Sequence, residues 1–343
     1  MTRIIAVATI LAGLLAGGCS EDQPASPVAA APAAAGEEIR HSLEAAESYI
    51  TSGDIDRARS ILARLLEEAP GDARPYEVMA RVELGQGLKL RKQGLVDAAR
   101  VQFGQSYDWY EKAIARDPAS GGLHQSGGEV AQLAGRTDAA MAHYRRARDL
   151  DPDNPKSRLC AAQLLLDDDP AQAEQLLNEV LELDPDQAHA LASLALARQR
   201  LGDTDAASDA ATQALNRAAD DVSIRIAVAR VHRVADRPRE ALELLLALPD
   251  TVRMQEAAAA EIALAWEAID RPINAGEAWA ECFRGNAHRT DAWRYALSAA
   301  DAMGRADQQA AAASWLEQAI MLDAPRDQVD AIRSRIAETS TSN

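Results

Sequence analysis

The sequence predicts an all-α solenoid, and three observations carry that prediction. The stretch Tyr144–Pro152 (YRRARDLDP) occurs in nearly equivalent form upstream as Tyr110–Pro118 (YEKAIARDP), and again downstream as Leu177–Pro185 (LNEVLELDP). A fixed period of about 34 residues marks a stack of helical units. Each copy ends on a proline, which has no N–H to donate and restricts the residue before it, so a helix stops at each. Finally, the chain is 48% hydrophobic but only 4% aromatic. Alanine and leucine therefore carry the apolar fraction, which favours closely packed helices over sheets. No stretch alternates with period two over the length of a strand ladder.

A further copy lies upstream at Leu62–Pro70, set wider apart from Pro118 than the other copies are from one another. That wider gap reads as one repeat whose two helices each gain about two turns. The 343 residues exceed one ordinary core, but a stack of repeats grows without enlarging any single core. The net charge of −17 repels phosphate backbones, which argues against nucleic acid as a partner.

The amino terminus has its own grammar. Residues 1–18 hold one basic residue, Arg3, then an apolar run too short to span a bilayer comfortably, then Ala16-Gly17-Gly18 before Cys19. These are the features of an export signal. The segment Leu15-Ala16-Gly17-Gly18-Cys19 resembles the lipobox of bacterial lipoproteins, with Ala16 where that family usually has leucine and Leu15 one place further back. The resemblance implies cleavage before Cys19, lipidation of Cys19 and a membrane anchor. Ser20 follows the cysteine where an inner-membrane retention signal commonly has aspartate, so the resemblance points to the periplasmic face of the outer membrane. Residues 19–36, rich in alanine and proline, are read as a semi-extended tether.

From 37 to 325 the units follow in order. Repeat 1 starts at Ile39, with Ala46, Tyr49, Ala58, Leu62 and Pro70 at its marked positions and Gly53-Asp54 as the turn between its helices. Repeat 2, from Ala73, is the long one, its first helix running to Gln93 and its second from Val96 to Arg116. Repeat 3, from Gly121, carries Gly121, Gly122, Gly127 and Gly128 in its first helix and should be the loosest. Repeat 4 starts at Pro155, with Asp167-Asp168-Asp169-Pro170 as its turn, and repeat 5 at Ala188. Repeat 6 starts at Val222 and ends early at Pro249; repeats 7 and 8 start at Glu256 and Thr290. Residues 326–343 close the chain as a polar capping helix and tail, which the last unit of a stack needs.

This pattern of bulky, small and proline positions resembles the tetratricopeptide repeat family. The resemblance implies a right-handed superhelix of about eight helix–turn–helix units. The small residues have a physical task in any case, because a large side chain where adjacent helices cross would force their axes apart.

No chemistry announces itself. There is no Gly-rich phosphate loop, no HExxH, no GxSxG and no paired-cysteine metal spacing, so no enzyme, metal or cofactor is expected. The six histidines are scattered, with no two in helical reach of each other. Asp167–Asp169 reads as a solvated turn, and Cys160 and Cys282 as buried single thiols. Trp266, Trp279, Trp293 and Trp315 stand at repeat spacing in bulky positions, which reads as core packing.

What remains is surface. In the repeat family, positions 2, 5, 9, 12 and 13 of each first helix face a concave groove where partner peptides lie. The resemblance places His189, Arg200, Arg230 and Arg233 at such positions. Val222–Arg239 holds five arginines against one aspartate in an otherwise acidic chain. Guanidinium groups there suit carboxylates; the bland alternative pairs them with neighbouring acids such as Asp205, Asp220, Asp221 and Glu240. The sequence is therefore read as a lipid-anchored scaffold for protein or peptide partners in an envelope assembly or secretion machine. The alternative is a subunit that handles polysaccharide or cell wall.

Overall fold

A computed structural model describes residues 33–287 and 289–341. The export signal, Cys19 and most of the tether lie outside the described residues. Among the described residues there are eighteen α-helices and no strand. Helices α1 to α7 are Ala33–Ser52, Ile55–Glu68, Ala73–Lys92, Val96–Ile114, Gly121–Leu133, Thr137–Leu150 and Lys156–Leu165. Helices α8 to α12 are Pro170–Leu183, Ala188–Leu201, Thr204–Arg217, Val222–Val234 and Pro238–Leu246. Helices α13 to α18 are Asp250–Arg253, Glu256–Ala268, Pro272–Asn286, Trp293–Arg305, Gln309–Met321 and Arg326–Thr341.

These helices form two compact units that divide after Leu164, at the end of α7. The sequence suggests no such division, because its repeat pattern runs through without a break. Helix α7 is the shortest of the eight first helices at ten residues, ended by the acidic turn at Asp167–Asp169.

In the first unit, α1–α2, α3–α4 and α5–α6 are antiparallel pairs, each packed on the next. One apolar cluster gathers Leu43, Ala46, Leu62, Leu65, Val78, Met79 and Val82; a second gathers Tyr76, Ala80, Tyr110, Ala113, Leu123 and Val130. Helices α3 and α4 are 20 and 19 residues long, in keeping with the extra turns read from the spacing. Helix α1 begins at Ala33, four residues before the expected start at 37, because Ala33-Ala34-Ala35 favours helix and extends it backwards.

In the second unit, α9–α10, α11–α12, α14–α15 and α16–α17 are the pairs, and α18 lies on α16 and α17. A large cluster runs from Ala229 and Leu245 through Ala263 and Trp279 to Tyr295 and Ala302. Val329 and Ile332 of α18 cover Leu297, Ala300 and Leu316, so the capping helix buries an apolar stripe against the last pair.

One rule fixes the register. The fourth residue of every second helix is alanine: Ala58, Ala99, Ala140, Ala173, Ala207, Ala241, Ala275 and Ala312. All eight are buried, with at most 1% of their surface exposed. Four residues on, on the same face, stand Leu62, Phe103, Tyr144, Leu177, Ala211, Leu245, Trp279 and Leu316, all buried. The alanine lets two backbones approach, and the larger residue fills the space beside it.

The turns between first and second helices need a left-handed residue in seven of the eight repeats. Gly53, Gly94, Gly135 and Gly202 supply it in four, while Asp236, Asp270 and Asp307 adopt positive φ of 59°, 53° and 57° in three. Glycine takes this conformation without strain; aspartate is one of the few other residues that visit it. Side chains of Asp54, Ser120, Asp169, Asp203 and Asp221 then cap the following helices.

The register makes two stability predictions. Ala140→Leu or Ala207→Leu should cost about 1–3 kcal/mol by overfilling a crossing, whereas Ala63→Leu, at an exposed helical position, should change the melting temperature little. Asp270→Gly should stabilise by up to about 1 kcal/mol by relieving the left-handed backbone, as read from the urea midpoint.

Candidate functional site

The residues named from the sequence fall on first helices of the second unit, and the structure gives each a partner. Arg230 and Arg233 lie one turn apart on α11, which carries Arg225, Arg230, His232 and Arg233 but no acid. Both reach the same carboxylate, Glu261 of α14. Arg230 Nε donates to Oε1 at 2.6 Å and Arg233 Nε to Oε2 at 2.9 Å. The Glu261 side chain is only 6% exposed; those of Arg230 and Arg233 are 14% and 21% exposed.

Arg200 does not share the Glu261 carboxylate with this pair. Arg200 of α9 bonds Asp167 in the turn before α8. His189 faces Asp221 at 3.6 Å. Two of the neighbouring acids offered as neutralising partners are occupied elsewhere: Asp221 caps α11, and Glu240 pairs with Arg237 and His232. Sequence reasoning missed Glu261, 31 and 28 residues beyond the two arginines. Its signal was available: a lone acid inside the otherwise apolar run Ala257–Ala265 is a buried charge in need of a partner.

The charge count at this site is uneven. Two guanidinium groups meet one carboxylate, which leaves one positive charge in a half-buried place. Each arginine uses only its Nε edge on Glu261, and among the described residues the Nη edges have no hydrogen-bond acceptor. The Nη1–Nη2 edge of a guanidinium matches a carboxylate with two parallel bonds. The arginines are therefore partly structural, which corrects their reading as a freely exposed pair.

Several other buried polar groups pair in small clusters. In the first unit Gln125 donates to Glu129 at 2.7 Å and accepts from the Ser157 hydroxyl at 2.6 Å, while Lys156 pairs with Glu129 at 2.9 Å. Glu83 accepts from Arg59 at 2.8 Å and also from Gln102. Cys160 and Cys282 are free and buried, and burial pushes each thiol up to about 12, so neither is a ready nucleophile. Trp279 is buried in the core, and Trp266, Trp293 and Trp315 pack partly buried against it. Asp169 caps α8, so the acidic triplet works as a turn. The histidines are less scattered than their spacing suggests, because His124 and His143 meet across α5 and α6.

Among the described residues no group of three His, Cys, Asp or Glu side chains is placed to hold a metal ion. No described helix is long and apolar enough to cross a membrane. Residues 131–198 match one tetratricopeptide repeat model and residues 42–72 match another. The chain carries tetratricopeptide repeats. Among solved structures it is similar to a tetratricopeptide repeat protein from Parabacteroides merdae, at 14% identity and a TM-score of 0.56, covering 74% of this chain and 93% of that one. It is also similar to a chain of the APC/C hetero-tetramer Cut9–Hcn1, at 14% identity and a TM-score of 0.54, covering 86% of this chain and 55% of that one. At these identities the likeness is one of fold. No curated protein matches the sequence.

Glu261 holds two cations in place, so its removal should cost more than removal of either. Glu261→Ala should destabilise by roughly 3 kcal/mol, because it strands two half-buried guanidinium groups. Arg233→Ala should cost clearly less, since Arg230 still neutralises the acid; thermal melts of both variants check the order.

Proposed function

We propose that this chain is a scaffold that binds protein or peptide partners, anchored by lipid at Cys19 to the periplasmic face of the outer membrane, where it serves an envelope assembly or secretion machine. The tetratricopeptide repeats support the scaffold role. The observation that carries the binding site is the uneven ion cluster on α11 and α14: a surplus positive charge, with open Nη edges, in a chain of net charge −17. A partner that presents an acidic side chain would complete it. Arg200 and His189, already held by Asp167 and Asp221, would border such a partner rather than grip it.

A polysaccharide-handling subunit would be served by exposed aromatic platforms. All five tryptophans lie in the described residues and none is exposed, which favours the peptide reading.

Two measurements test the proposal. Cys19→Ala should move the protein from the outer-membrane fraction to the soluble periplasm; continued membrane fractionation would exclude the anchor. The neutral variant Arg233→Gln removes the surplus charge while Arg230 still neutralises Glu261, so it should lose cross-linked partners from intact cells while keeping its helical circular dichroism. Unaltered recovery at low salt, where screening is weakest, would remove the site from the account.

A further inference from the structure

The first unit holds a contact that the proposed function does not use. Tyr107 and Glu111 lie four residues apart, on one face of α4. His124 comes from α5 and His143 from α6. Their rings are 5.4 Å apart between centroids, and the two Nδ1 atoms are 3.2 Å apart. His124 Nε2 lies 3.3 Å from the Pro118 carbonyl oxygen. His143 Nε2 lies 3.0 Å from a Glu111 oxygen and 3.2 Å from the Tyr107 hydroxyl. The glycines of α5 permit the approach: a Cβ on Gly127 would stand 3.2 Å from Ile114 and 3.8 Å from the His143 ring, and one on Gly128 would strike the Tyr144 ring at 2.6 Å. The glycines that predicted a loose helix instead allow close packing.

Counting hydrogens settles what this contact needs. Both Nε2 atoms face oxygen acceptors, so both carry hydrogen. If each ring is neutral, that uses its only N–H, and two Nδ1 lone pairs oppose each other. One added proton turns the repulsion into an N–H···N bond and supplies the positive charge that Glu111 faces. A second added proton would set two N–H groups head to head and two charged rings side by side.

We propose that His124 and His143 form a one-proton joint tying α4 to the α5–α6 pair, and that acid opens it by adding the second proton. Only two nitrogen donors converge, so a proton fits the place better than a metal ion. Tyr107 and Glu111 face the pair from α4, and Arg146 from α6. Arg136, at the start of α6, lies over the Tyr107 ring and bonds Asp108. Burial, first of all, holds His124 below its ordinary value, and the positive charges of His143 and Arg146 add to this; the Pro118 hydrogen bond and Glu111 oppose it. The folded value is thus the lower one. Below the unfolded value of about 6.5 the unfolded chain binds more protons than the folded one, so the joint weakens as pH falls from there towards the folded value.

Hydrogen–deuterium exchange on the full chain at about pH 7.5 and about pH 5, corrected for intrinsic rates, reads this directly. Protection of α4 to α6, relative to α9 to α12, should fall about tenfold or more in acid. His124→Gln, which cannot take the charge, should remove that selective loss. Equal acid loss in the variant, or none in the wild type, would overturn the joint. Should the variant not fold, the nitrogen-15 histidine spectrum of the wild type near neutral pH decides. Both Nε2 atoms protonated and one proton between the Nδ1 atoms support the joint; an unprotonated Nε2 on either ring refutes it. Stoichiometric uptake of zinc ion at neutral pH, lost in His124→Gln, would also refute it, by showing that the pair holds a metal.

Discussion

Everything in this molecule rests on how closely the second helix of each pair can approach its neighbours. Eight buried alanines, each at the fourth residue of a second helix, set that distance. A methyl group is the largest side chain that leaves the backbones in contact, and dense packing is what turns helix pairs of modest individual stability into a stack. The residue four places on can then vary from Ala211 to Trp279, since it fills a space whose width the alanine has already set.

Polar groups trapped by this packing follow a second constraint. An acid drawn into the stack must bring its cation with it, and several do so across repeats: Glu83 with Arg59, Glu129 with Lys156, Glu261 with Arg230 and Arg233. Where the numbers match, the result is structural. At Glu261 they do not match, and the leftover charge gives one place in an acidic chain a reason to meet an acidic partner. At His124 and His143 the unmatched quantity is a proton. In both cases an incomplete set of partners is what separates a candidate site from ordinary buried polarity.

The αL turns show how much sequence variety one backbone requirement admits. Repeats in the first unit meet it with glycine, and later ones mostly with aspartate. A search for glycine alone would miss Asp236, Asp270 and Asp307, although all seven residues do the same work.

The sequence by itself determined the helix pairs and their order, because prolines, glycines and capping aspartates act through local backbone geometry. It also showed that small residues recur where helices cross, since the repeat period returns them to one helical face in unit after unit. It could not decide partners. Arg230 and Arg233 meet Glu261, not the nearer acids, and Arg200 meets Asp167, because each of these pairs with what an adjacent repeat presents. His124 and His143, 19 residues apart, look unrelated until antiparallel α5 and α6 fold them together. Local signals are written in consecutive residues; the balance of charge in a buried contact exists only once helices are stacked.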